Sequence, residues 1–244
     1  MNRRSIGGSR GVCLAEVMIA LAAGAVVLAA TLQSLDHFQR RLSRQHETAA
    51  KIQDLRIGLR ILDEEVRLAG TASPPSEAPI QISGEQEISF TANLGGLATT
   101  LAEPVSSLQQ DLPVVDGTDW TKGKRVLVCD RDRCAESRLA RDGRKRMLDV
   151  TSPLGRDFAA GSDVRVANQV RYYLKTDRKG TTSVMREVDG GATTLIGEIT
   201  RFQLRYLDRD GAKTADPSRV AFVQIEAAAG NGHTVVRNIW VRGR

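Results

Sequence analysis

Residues 12–32 form an apolar run of 21 residues in which Glu16 is the only charged side chain. A run of about 20 apolar residues is long enough to cross a bilayer as a helix. Beyond Leu32 the pattern changes type without a break. Apolar residues recur at Leu35, Phe38, Leu42, Ala49, Ile52, Leu55, Leu59, Leu62, Val66 and Ala69, mostly three or four apart, with charged residues on the other faces. That spacing is the stripe of an amphipathic helix. Residues 12–70 therefore read as one continuous helix, apolar all round over 12–32 and one-sided afterwards. Gly70 and then Pro74-Pro75 supply its stop. No compact domain of this size needs so long a helix inside it, so the first half is expected to stand clear.

Before the run lies a leader, residues 1–11, that carries Arg3, Arg4 and Arg10 and no acid. Such a leader places itself in the cytoplasm and everything after Leu32 on the far side of the membrane. A secretory signal peptide fits poorly, because its apolar core is about 7–15 residues and ends at a small-residue cleavage site. A lipoprotein reading of Cys13 fits poorly as well, because no apolar segment precedes that cysteine. A lone carboxylate at membrane depth costs at least a few kcal/mol, so Glu16 calls for a cationic partner unless it snorkels to water. The net charge of +6 includes the leader's three arginines, and the remainder is too weakly basic to imply nucleic acid. At 4% aromatic residues the chain also lacks the material for a base-stacking surface.

Residues 71–120, rich in Ser, Thr, Pro and Gly, read as an irregular connecting region with strand-like pieces at 80–82 and 87–91 that make one hairpin. Residues 121–244 read as an antiparallel β domain, with strands expected over 125–129, 164–175, 183–188, 193–196, 198–207, 219–227 and 234–242. Asp189-Gly190-Gly191, Asp208-Arg209-Asp210-Gly211 and Gly230-Asn231-Gly232 punctuate them as turns, which favours a meander. The fold class is α+β: the stripe Ile52, Leu55, Leu59, Leu62 and Val66 packs on the sheet.

Cys129 and Cys134 form a C-x4-C pair in the exported part. In an oxidising compartment a disulfide is the favoured reading over free thiols. Zinc is disfavoured, because His37, His46 and His233 are scattered in sequence. Residues 121–149 carry a net +5, with ten basic residues and five acids intermixed. A solvated loop explains them better than a nucleic-acid surface. Asp208-x-Asp210-Gly211 matches the start of a calcium loop but lacks the downstream Glu, and a hairpin turn accounts for it. No G-x-S-x-G, H-E-x-x-H or phosphate loop is present. No enzyme, cofactor or metal is expected.

The segment Arg10-Gly11-Val12-Cys13-Leu14-Ala15-Glu16-Val17-Met18-Ile19-Ala20-Leu21 resembles the prepilin cleavage and methylation signature of type IV pilins and type II secretion pseudopilins. Where that family usually has Phe-Thr, this chain has Val12-Cys13. Leu62-Asp63-Glu64-Glu65-Val66-Arg67-Leu68-Ala69-Gly70 is similar to the helix end of PilW-like minor pilins and J-type pseudopilins. So are the later runs Val170-Arg171-Tyr172-Tyr173-Leu174, Met185-Arg186-Glu187 and Ile199-Thr200-Arg201-Phe202-Gln203-Leu204-Arg205-Tyr206. The resemblance implies a type IV pilin-like fold and cleavage by prepilin peptidase between Gly11 and Val12. It further implies N-methylation of Val12 and storage in the bacterial inner membrane with the C-terminal domain periplasmic. The subunit would then pass into a pilus at the cell surface, in contact with other minor and major pilins and the inner-membrane assembly platform. There Glu16 would pair with the Val12 amine of a neighbouring subunit. A minor pilin of a type IV pilus is the first expectation and a J-type pseudopilin the second. A signal-anchored periplasmic binding protein or enzyme is the reading from another class.

Overall fold

The computed structural model describes residues 14–230 and 233–241. The expected cleavage residues Gly11 and Val12, the leader arginines Arg3, Arg4 and Arg10, and Cys13 lie outside them. Two compact units meet in sequence between Ala50 and Lys51. One helix, α1 (Leu14–Arg67), supplies the described part of the first unit and enters the second.

In the first unit every described residue of α1 is exposed except Thr48, which is half-buried. Two hydroxyls on this part of α1 turn back on the helix. Thr31 Oγ1 donates to the Leu28 carbonyl at 2.8 Å and Thr48 Oγ1 to the Arg44 carbonyl at 3.0 Å. Asp36 and Arg40, one turn apart, form an ion pair at 2.9 Å.

Among the described residues the second unit contains fourteen strands: β1 (Ile80–Ser83), β2 (Glu87–Ala92), β3 (Ala98–Thr100), β4 (Asp111–Pro113), β5 (Arg125–Asp130), β6 (Arg133–Arg138), β7 (Met147–Asp149), β8 (Asp163–Val166), β9 (Asn168–Thr176), β10 (Thr182–Val188), β11 (Gly191–Ile196), β12 (Ile199–Leu207), β13 (Phe222–Ala229) and β14 (His233–Trp240). All named pairings are antiparallel. The main sheet has the order β1-β2-β9-β10-β11, and a second has β12-β13-β14. Together with Leu55, Leu59, Leu62 and Val66 of α1 they enclose one core, in which Ile88, Phe90, Tyr172, Val184, Ile225 and Ile239 are buried. This is the expected α+β arrangement of a long helix and an antiparallel sheet domain.

A second core sits in an insertion between β2 and β9. The sheets β3-β8-β5-β6 and β4-β7 wrap Leu112, Val114, Trp120, Val126, Leu139, Leu148 and Phe158. The division expected at residue 120 therefore does not follow the sheets. β2 pairs with β9, β3 with β8 and β4 with β7, so 71–120 is built into the sheets rather than connecting them. Two of these pairings span more than 60 residues of sequence, a distance that no local pattern encodes. The expected strand 164–175 is two strands of different sheets, broken at the buried Ala167. β6 and β7 lie in the charged stretch that reads as a loop. The helix ends at Arg67, short of Gly70. A tightened last turn follows, with Leu68 N donating to Glu65 O and Ala69 N to Val66 O. Gly70, at φ 83°, then turns the chain so that its N–H bonds the Thr91 carbonyl of β2 at 2.9 Å.

Candidate functional site

Glu16 lies in the first described turn of α1, exposed on a helix whose charged residues do not resume until Asp36. An 18-residue window of α1 is apolar enough to cross a membrane, and none of it is buried. So many large apolar side chains would be unusual on a water-facing helix; here Leu14, Met18, Ile19, Leu21, Val26, Val27, Leu28 and Leu32 are each more than half exposed. Their removal from water is the largest favourable term left open in the described chain. A carboxylate carried into the same dry environment must be paired to stay charged. The candidate site is thus a surface, the 14–32 face of α1, with one group on it that can specify a register.

The second half of α1 is held to its domain by three devices. Leu55, Leu59, Leu62 and Val66 are buried on the sheet, as expected; Ile52 is half-buried. Gly58 lets the helix backbone meet β11: a Cβ there would lie 2.2 Å from Ile196 Cγ1. Glu65 projects into the core and accepts from the buried Tyr172 hydroxyl and from Arg186 Nε at 3.0 and 3.1 Å. Burial, and then the Glu65 carboxylate, push the Tyr172 hydroxyl far above its ordinary pKa, so it stays a donor. A charge-assisted network of this kind fixes the rotation of the helix. Sequence reasoning passed over it, although Glu65 stands three residues from Leu62 and so shares its face, and Tyr172 alternates with Val170.

Cys129 and Cys134 are directly opposite in the β5–β6 hairpin and joined by a disulfide, with Cα atoms 4.2 Å apart. The turn between them places Arg131 at φ 52°. The charged segment 121–149 resolves into specific pairs. Arg141 forks onto Asp149 at 2.6 and 2.7 Å, and Arg144 reaches the same carboxylate at 3.0 Å. The Arg141 hydrogen bonds hold the Asp149 carboxyl below its usual range, against the opposing effect of burial. Arg125 faces Glu136 at 3.6 Å and Arg133 faces Asp130 at 3.1 Å.

At the 208–211 turn, Asp208 Oδ1 accepts from the N–H groups of Asp210 and Ala212, while Oδ2 pairs with Arg219 at 3.2 Å. The carboxylate organises the turn. An open groove of about 450 Å³ beside it is walled by Pro79, Arg219 and Trp240. Among the described residues no three His, Cys, Asp or Glu side chains gather as a metal site.

Compared with protein-family models, with curated proteins and with solved structures, the chain gives no match.

Proposed function

We propose that this chain is a minor pilin of a type IV pilus, processed by prepilin peptidase, stored in the inner membrane and drawn into the filament through α1. The observation that carries the reading is α1 itself: a 54-residue helix whose apolar end is unburied and bears Glu16 alone. A plain membrane anchor has no use for that carboxylate, which costs a few kcal/mol at depth. An assembly helix does. The Val12 amine freed by cleavage after Gly11 is a cation at the right end of the helix to neutralise Glu16 of a neighbouring subunit. Buried polar pairs of this type favour one axial register over others. The role of the chain is structural, and its partners are the peptidase, other pilins and the assembly platform.

Co-expression with a prepilin peptidase, followed by mass analysis of the N-terminus, tests the processing. The expected product begins at Val12; an intact Met1 under those conditions overturns the reading. In the native host, Glu16→Ala is expected to be processed and membrane-inserted yet missing from sheared filaments. Undiminished incorporation sinks the role assigned to Glu16.

A further inference from the structure

β14 is the outermost strand of the β12-β13-β14 sheet, and among the described residues its far edge meets no other strand. The side to which each backbone group points follows from the ladder. Val241 N donates to the Ala221 carbonyl at 2.9 Å, and the pairing from Phe222↔Trp240 to Ala229↔His233 continues that register without a bulge. Antiparallel partners exchange hydrogen bonds at every second residue. Val235, Arg237 and Ile239 are therefore bonded to β13, and Val236, Asn238 and Trp240 turn their N–H and C=O groups to the open side. β12 shows the same alternation from the other flank. Leu204 N donates to the Glu85 carbonyl at 2.7 Å, and Tyr206 O accepts from Thr214 N at 3.0 Å, which leaves the residues between them for β13.

The β12 edge is thus engaged, whereas among the described residues the β14 edge from Val236 to Trp240 is open. From Val236 to Trp240 it has neither Pro nor Lys, and its one charge, Arg237, lies between the residues whose backbone faces outward. Its outward residues are also adhesive: Val236 is 54% and Trp240 47% exposed. An open row of backbone donors and acceptors fits an extended strand and nothing else.

β14 is complementary to itself about Asn238. Set a second copy antiparallel with Asn238 opposite Asn238. Val236 then faces Trp240, Trp240 faces Val236, and the outward backbone groups of all three residues are bonded in reciprocal pairs. An aromatic opposite a β-branched residue is a favourable cross-strand pair. Centring on Arg237 instead sets two guanidinium groups directly opposite, which is unfavourable. Slipping by a single residue aligns outward groups with inward ones and forms no ladder. We infer that the open edge of β14 pairs with β14 of a second copy of this chain, joining two three-stranded sheets into one about a two-fold axis at Asn238. The inference goes beyond the processing reading and does not depend on it.

The test uses the full chain in membranes, with Cys13→Ser to remove the thiol outside the Cys129–Cys134 bridge. Asn238→Cys in that background places two thiols on residues about 5.5 Å apart at Cα, within disulfide reach. Oxidation is expected to yield a reducible species of twice the chain mass. Arg178→Cys, in the exposed β9–β10 turn, is the control for random collision and is expected to yield none. Adding Val236→Pro removes an N–H that faces only the partner, and Trp240→Glu alters no backbone group; each is expected to cut the dimer yield several-fold. The inference is overturned by a monomer alone, by equal cross-linking of Arg178→Cys, by dimers insensitive to both substitutions, or by a cross-linked product containing a different polypeptide.

Discussion

Asp149 shows how a single residue organises a stretch that composition describes only as charged. Its side chain is 11% exposed and takes both Arg141 and Arg144, which are themselves more than half exposed. The folded carboxyl therefore titrates below its unfolded value of about 3.9. Fewer protons bind to the native state than to the unfolded one, so the contribution to stability is full above that value and fades as pH falls through the folded pKa. Solvent screening at the arginines limits its size. Asp149→Asn is expected to cost about 1 kcal/mol near neutral pH. The difference from the parent chain should shrink towards zero below the folded pKa. Urea unfolding followed at neutral pH and in acid measures both.

At the scale of elements, the seating of α1 on β11 is set by Gly58 as much as by the leucines beside it. The leucines drive burial from any side, whereas the absence of a Cβ at one point decides how near the two backbones come. Gly58→Ala improves helix propensity by roughly 1 kcal/mol but drives a methyl into Ile196. The clash dominates, because overpacking in a filled core typically costs about 1–3 kcal/mol. Thermal unfolding of Gly58→Ala is expected at lower temperature, with Gly58→Ala/Ile196→Ala recovering part of the loss. The Glu65 network lies one turn pair further along the same helix and adds direction to this contact. Neither feature was legible. A glycine in a helical pattern reads as a weakness, and one Glu in Asp63-Glu64-Glu65 does not announce that it faces a tyrosine over a hundred residues away. The β5–β6 hairpin was half legible. The cysteines marked where two strands meet, yet the strand alternation of β6 was hidden among Arg133, Glu136 and Arg138.

For the whole molecule, each unit has its own solvent problem. Residues 14–50 leave an apolar surface open, while the part from Lys51 onward encloses two cores of its own. A chain truncated to begin at Lys51 retains Leu55, Gly58, Leu59, Leu62, Glu65 and Val66, and is expected to be soluble and folded. The full chain is expected in the membrane pellet. Sedimentation and circular dichroism of the two forms check this; a truncated chain that precipitates or lacks strand signal contradicts it. The amino-acid sequence alone determined the long helix, its apolar first half with the lone Glu16, the face that packs on the sheet, and most of the later strands. Periodicity, charge and turn residues are local properties, and each element expresses its own. Only the tertiary structure decided that β2 reaches across a whole inserted lobe to β9, that 164–175 serves two sheets, and that β14 has an open edge among the described residues. Those outcomes depend on which strand arrives beside which, a competition among distant segments for the same backbone hydrogen bonds and the same buried surface.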